Sequence, residues 1–469
     1  MSNSNSIKAQ FINGVLWGII EKLASLLTGF VITLVLARIL TPADYGLVNM
    51  IYIFTVLGTV LLDGGFGQAI MQRKNLTAKD VSSVFYINMV MSILIYVALF
   101  FCAPLIADFY NQSALINISK VVFLTLPINA LCIIQHSLLT KELRVKELTF
   151  VSIISALASG LIGIILAYKD FGVWALVYQS LSYQLVRALS LWYFSKWRPV
   201  WEFSFAFIKD IWSFSMHLLG VFSLASIFQN IYTLLIGKLY NVNEVGYYNQ
   251  AFRMQTVASN AVTSSIQRVA FPAFAKLQDD VSALRSAYKR VTVLTMEVYF
   301  PVMMALVVIG KYLFLVLLTE KWMPSVPLFG LLCVAEAFYP LNNINGTVLK
   351  ARGKGQEYFQ LNFANYAIIT LCILLTYRYG IIALLSGYAV SALIRSFTSM
   401  VVCGREIGYN IPAFINALVT CVGIYFISLI AMPDIWKLIL AICVGSIIFL
   451  VVNIVLKTTL FRELKSLKK

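Results

Sequence analysis

The sequence predicts an all-α polytopic membrane protein with about 14 transmembrane helices, two pseudo-symmetric six-helix lobes and a C-terminal helix pair. Three observations carry that expectation. Of the 469 residues, 60% are hydrophobic and 12% charged, whereas soluble domains run at about 45–50% and about 25%. Breaking the chain at clusters of charge, Pro, Gly and Asn leaves about 14 apolar runs of the roughly 20 residues that a membrane span requires. Finally, residues 33–49 return in design at 233–249: Thr33/Thr233, Leu34/Leu234, Gly46/Gly246 and Asn49/Asn249 are identical, and Arg38/Lys238 and Asp44/Glu244 match in charge. A shared register of base, acid and turn glycine marks an internal duplication.

The expected spans are 14–40, 45–70, 83–107, 117–139, 148–168, 172–195, 211–237, 245–271, 291–318, 326–349, 359–379, 381–402, 412–431 and 435–457. The first stops at Thr41-Pro42-Ala43-Asp44. Proline is tolerated at a first helical position, and an acidic residue suits the positive end of the next helix dipole. That first run holds Glu21 and Lys22, unlike the short uncharged core of a cleavable signal peptide, so no cleavage is expected. The eighth run carries Asn249, Gln250, Arg253, Gln255, Asn260, Gln267 and Arg268; a helix so polar must face protein or a wet cavity. The repeat divides the chain into an N-lobe at 1–200, a C-lobe at 201–405 and a terminal helix pair with a basic tail at 406–469. Six helices between repeats give both halves the same orientation, with a substrate site expected between them.

The net charge of +16 would suggest nucleic acid in a soluble protein. Here it follows the bias of cytoplasmic loops for Lys and Arg, and no nucleic-acid partner is expected. With the N-terminus inside, about 23 basic residues fall on the cytoplasmic side against 8 outside, so both termini are expected in the cytoplasm. The seven cysteines lie in or beside apolar runs without paired spacing and read as small buried side chains. His136 and His217 are too few for a metal cluster, and Gly353-Lys354-Gly355 lacks the spacing of a phosphate-binding loop. No metal, cofactor or catalytic group is expected, and transport would run on a gradient or on the substrate's own potential.

Residues 36–46 (Leu-Ala-Arg-Ile-Leu-Thr-Pro-Ala-Asp-Tyr-Gly) and the stretch Gly64-Gly65-Phe66-Gly67-Gln68-Ala69-Ile70-Met71-Gln72-Arg73-Lys74 resemble bacterial polysaccharide exporters. These are the O-antigen and colanic-acid flippases of the multidrug/oligosaccharidyl-lipid/polysaccharide superfamily. The resemblance implies a transporter that flips a polyprenyl-pyrophosphate-linked oligosaccharide from the cytoplasmic to the periplasmic leaflet, in the inner membrane. It implies alternating access, H+ or Na+ as candidate coupling ions, and contact with the polysaccharide assembly machinery. A drug or cation antiporter of the same superfamily would share the fold, but its lobes would be expected to carry more carboxylates. A polymerase or ligase for lipid-linked sugars would need a sizeable outside loop, which is lacking here.

Five basic residues fall inside the expected spans: Lys22, Arg187, Arg253, Arg268 and Arg395. Arg253 lies about 12 Å into its run at 1.5 Å per residue, too deep for easy escape to the surface. Arginine grips phosphate bidentately whereas lysine acts as a point charge. Arg253 and Lys22 are therefore the expected core of a cationic cavity for the pyrophosphate, with Arg187, Arg268 and Arg395 as further candidates. Asp63, Glu297 and Glu336 are the candidate ion-coupling or structural carboxylates, Asp63 also being a possible counter-charge for Lys22.

Overall fold

The computed structural model describes residues 2–73 and 76–408. The expected spans 412–431 and 435–457 and the basic tail lie outside the described residues. The other twelve spans are all helical, in fifteen α-helices: α1 (Ser2–Ile39), α2 (Pro42–Asp63), α3 (Phe66–Gln72), α4 (Ala78–Tyr110), α5 (Leu115–Val122), α6 (Thr125–Lys141), α7 (Val145–Tyr168), α8 (Val173–Ser195), α9 (Phe205–Leu239), α10 (Val242–Lys276), α11 (Val281–Leu317), α12 (Ser325–Glu336), α13 (Tyr339–Ala351), α14 (Gly355–Thr376) and α15 (Ile381–Ile407). Among the described residues ten spans are long and apolar enough to cross a membrane; α8 and α10 are long enough but more polar.

Three expected spans are each two helices, and local chemistry explains every break. Gly64 and Gly65 adopt φ of 47° and 78° between α2 and α3, a left-handed conformation that costs glycine little. The α5–α6 and α12–α13 breaks each fall just ahead of a proline, Pro127 and Pro340. Proline supplies no N–H and is accommodated in a first helical turn, so the second helix starts there afresh. These two broken spans occupy equivalent places in the two repeats.

The residues fall into two compact units that divide within α10, between Asn249 and Gln250. In the first unit α7 packs on α1 and α8, and α6 packs on α4 and α8. Phe66, Ile70, Val84, Phe85, Ile134, Ile208 and Ile211 are buried together in one cluster. Also in this unit, α2 lies against α9, which brings the two repeat turns onto each other. A Cβ on Gly46 would stand 2.0 Å from the Val242 carbonyl oxygen, and one on Gly246 would stand 2.0 Å from the Pro42 carbonyl oxygen. Only two missing side chains allow this reciprocal seating of backbone on backbone. Thr41 caps α2 in a box with Asp44, and Asn241 Oδ1 accepts from the Glu244 N–H at 3.0 Å. Lys238 Nζ donates to the Phe109 carbonyl at 2.7 Å.

In the second unit, Met296, Tyr299, Phe300, Met303 and Met304 of α11 are buried with Phe338, Leu341 and Met400. Nearer the chain ends of the same helices, Arg352 pairs with Glu406 at 3.4 Å and Lys354 with Glu357 and Glu406 at 3.5 Å. These pairs tie the start of α14 to the end of α15.

Candidate functional site

Polar groups inside apolar helices are costly unless they meet partners or water, so the interior cations and carboxylates sort themselves by what they touch. In the first unit Lys22 is exposed on α1 and forms no ion pair among the described residues. Its neighbour Glu21 instead accepts a hydrogen bond from Ser152 Oγ of α7 at 3.0 Å. Asp63 does not serve Lys22: its Oδ1 accepts from the Gly67 N–H at 3.2 Å. The carboxylate at the end of α2 thus reaches across the glycine pair to the N-terminus of α3, where the helix dipole favours a negative charge. A Cβ on Gly67 would meet Asp63 Oδ1 at 2.9 Å and Ser137 Oγ at 3.0 Å, so this cap is packed closely against α6.

Arg187 of α8 donates to Asn129 Oδ1 of α6 at 3.2 Å. Cys132 and His136 follow Asn129 on α6 at helical spacing. Asn129 is buried whereas His136 is exposed. One helix of this unit thus presents the arginine and its neighbour an amide, a thiol and an imidazole in a row. Elsewhere in the unit, Arg73 pairs with Asp210 beside a cavity of about 360 Å³ lined by Ala69, Gln72, Arg73, Asp210 and Ile211.

In the second unit, α10 presents two faces. Ala251, Met254, Gln255 and Ser259 are buried, while Arg253 and Asn260 are exposed with Thr256 half-buried between them. Positions 253, 256 and 260 lie on one side of a helix, so the exposed side carries a polar stripe with a guanidinium, bordered by the exposed Phe252. Arg395 is engaged differently. Its Nε donates to the Ser391 carbonyl at 3.3 Å and its guanidinium lies 5.8 Å from the Tyr388 ring centroid. Glu336 of α12 is the end of a hydrogen-bond chain: Tyr299 OH donates to Ser259 Oγ at 2.7 Å, and Ser259 Oγ donates to Glu336 Oε1 at 2.8 Å.

The structure therefore joins Tyr299, Ser259 and Glu336 of α11, α10 and α12 into one hydrogen-bonded chain, holds Arg395 on α15 itself, and leaves Arg253 on the exposed side of α10. Arg268 and Glu297 sit within α10 and α11, but their side chains lie outside the described residues. Sequence reading did not find the Tyr299–Ser259–Glu336 chain, the Asn129 partner of Arg187 or the capping role of Asp63. The first two join residues tens of positions apart with ordinary spacing, so no local pattern marks them. The glycine pair after Asp63 was a usable signal for the third.

Comparison with known proteins agrees with this architecture. The model of the family described as "Polysaccharide biosynthesis protein" matches residues 35–327. The teichuronic acid biosynthesis protein TuaB of Bacillus subtilis is 26% identical over 88% of this chain and 86% of its own length. The lipopolysaccharide biosynthesis protein WzxC of Escherichia coli is 27% identical over 84% and 81%. Among solved structures, the lipid II flippase MurJ in an inward closed conformation matches with a TM-score of 0.72 at 14% identity, over 96% of this chain and 99% of that one. An inward-facing multidrug resistance transporter of the MATE family matches with a TM-score of 0.63 at 14% identity, over 82% and 94%. At these identities the structural matches establish the fold: an all-helical, multi-pass membrane architecture shared with transporters. The family match covers the repeat turn, the glycine break and the polar stripe of α10, and this chain belongs to the polysaccharide biosynthesis protein family.

Proposed function

We propose that this protein flips a polyprenyl-pyrophosphate-linked oligosaccharide from the cytoplasmic to the periplasmic leaflet of a bacterial inner membrane, for surface polysaccharide. The observation that carries the reading is the polar stripe on α10: an exposed guanidinium at Arg253, flanked by Thr256 and Asn260, on a helix too polar to face lipid. Arg253 has no ion pair among the described residues, and a cation so held at membrane depth suits a pyrophosphate better than a cationic drug. Lys22, exposed on α1, is a further candidate cation for the phosphates. Arg187, already oriented by Asn129, supplies a further phosphate contact; Arg268 is kept as a candidate. Arg395 is engaged by the Ser391 carbonyl and Tyr388, Glu336 closes the Tyr299–Ser259 chain, and Asp63 caps α3.

In this reading the protein is a transporter and not an enzyme, with lobes at 1–200 and 201–405 and both termini in the cytoplasm. Its partners are the lipid-linked oligosaccharide and, at its cytoplasmic side, the polysaccharide assembly machinery. One charge crossing the membrane is worth about 2.3 kcal/mol per 100 mV, so a pyrophosphate with two negative charges gains roughly twice that on leaving a negative interior. The potential can then drive export without H+ or Na+. The seat of Gly46 and Gly246 on each other's turns lies at the outer end under this topology.

The test is substitution at the guanidinium. Arg253→Ala abolishes surface polysaccharide at normal protein abundance, and Arg253→Lys restores it only in part, because a point charge replaces a bidentate grip. Normal export by both variants at wild-type abundance would place the pyrophosphate elsewhere.

A further inference from the structure

The connection between α8 and α9, residues 196–204, has no helix, yet its backbone is fastened to α4. The Val200 N–H donates to Ser82 Oγ at 2.9 Å and the Ser204 N–H to Ser83 Oγ at 2.6 Å. Tyr86 OH donates to the Val200 carbonyl at 3.1 Å. Ser82 and Ser83 are fully buried beneath the connection; Trp197 packs inward on Phe85, while other side chains of the connection are turned outward. Trp201 is 95% exposed and Phe205 72%, with Phe203 also exposed. An apolar surface this large in one short segment marks a contact with a partner.

The depth of the segment identifies the partner. Helix α4 has 33 residues, about 50 Å of length, against a hydrocarbon core of about 30 Å. Its charged residues are Lys79, Asp80 and Asp108, so the charge-free stretch centres near residue 94. A core of that thickness then runs from about residue 84 to about residue 104. Ser82 and Ser83 fall just outside it and Tyr86 at its edge. Trp201 stacks on Tyr86, ring centroids 5.9 Å apart and 26° between planes, at the level where tryptophan concentrates in membranes. Lys196 and Arg198 are exposed in the same segment and Lys209 one turn into α9, with Glu202 the one acid among them. Arg198 is held in place, Nη1 donating to the Trp192 and Trp197 carbonyls at 3.0 Å and 2.7 Å. A guanidinium has five N–H donors, and the rest remain for a phosphate.

We infer that residues 196–205 form a lipid-docking strap, in which Trp201 and Phe205 seat in the interface of one leaflet while Lys196 and Arg198 hold the phosphates of anionic phospholipids. The strap pins the link between the two repeats to the membrane surface at the start of α4. The inference does not depend on the cargo proposed above, because the occupant is the bilayer itself.

The experiment places a bimane fluorophore on Trp201→Cys in the full-length protein, freed of its seven native cysteines and reconstituted in nanodiscs. Reference labels go on Phe101→Cys, on the lipid side of α4, and on Ser113→Cys, in the turn after it. At position 201, quenching by iodide falls between the two references and brominated phosphatidylglycerol quenches more than brominated phosphatidylcholine at equal mole fraction. The pair Lys196→Gln and Arg198→Gln removes that preference, by about fivefold for each charge. Iodide quenching at 201 as strong as at 113 would show that the strap faces water, and overturn the inference. Equal quenching by the two brominated lipids before the charges are removed would overturn it as well.

Discussion

The second helix of the first repeat and its counterpart in the second start on the same turn and end differently. Helix α2 begins at Pro42 behind Thr41 and stops at Asp63; α10 begins at Val242 behind Asn241 and runs unbroken for 35 residues to Lys276. At the spacing of the repeat, Gly64-Gly65 corresponds to Ser264-Ser265. Two consecutive left-handed residues suit glycine and cost serine about 1–2 kcal/mol each, so the first helix breaks and the second continues. The break frees Asp63 to cap α3; the stripe has a separate origin, Arg253, Thr256 and Asn260 standing where α2 has Ile53, Val56 and Val60. A shared turn thus sets where the two helices meet, a two-residue difference at its far end gives one a capped break, and three differences in between give the other a polar stripe.

The largest test of the shared part is the glycine seat. Gly46→Ala and Gly246→Ala each drive a methyl into a backbone carbonyl, and overpacking of this kind costs about 1–3 kcal/mol. The two variants should lose thermal stability in detergent by similar amounts and lower surface polysaccharide alike. A harmless Gly246→Ala beside a damaging Gly46→Ala would break the equivalence of the turns. The differing part is tested next: Gly64→Ala and Gly65→Ala should each cost about 1–2 kcal/mol, since both hold positive φ. Ser264→Ala and Ser265→Ala, where the helix runs on, should stay within about 0.5 kcal/mol, alanine being the better helix former. The smallest effect belongs to the caps. Thr41→Ala removes the acceptor of the Asp44 N–H at 3.3 Å and Asn241→Ala that of the Glu244 N–H, each worth about 1 kcal/mol in the same melting experiment.

Short-range chemistry was legible in the chain itself. Apolar run length located twelve helical spans, because a span must satisfy its backbone internally and in lipid only a helix does so along one segment; it missed the polar extensions of helices beyond the apolar run, α1 starting at Ser2 and not 14 and α11 at Val281 and not 291. The Thr41-Pro42-Ala43-Asp44 turn read correctly for the same reason: a cap and its box involve residues three apart. The polarity of α10 also announced that this helix could not face lipid. Pro127 and Pro340, by contrast, were present in the sequence but gave no sign of whether each would kink a helix or start a new one; Pro104, Pro272 and Pro301 sit inside continuous helices.

The sequence by itself determined that the protein spans a membrane, is duplicated and carries surplus cations within its helices. Only the tertiary structure decided which of those charges are spoken for. Asp63 turned out to serve a helix end four residues away, Arg187 an amide 58 residues away, and Glu336 a serine 77 residues away that is itself held by Tyr299. A charge in an apolar helix must find a partner or water. Which of the two it finds depends on the helices packed beside it, and those are brought near by burial of apolar faces that carry no information about the polar groups they juxtapose.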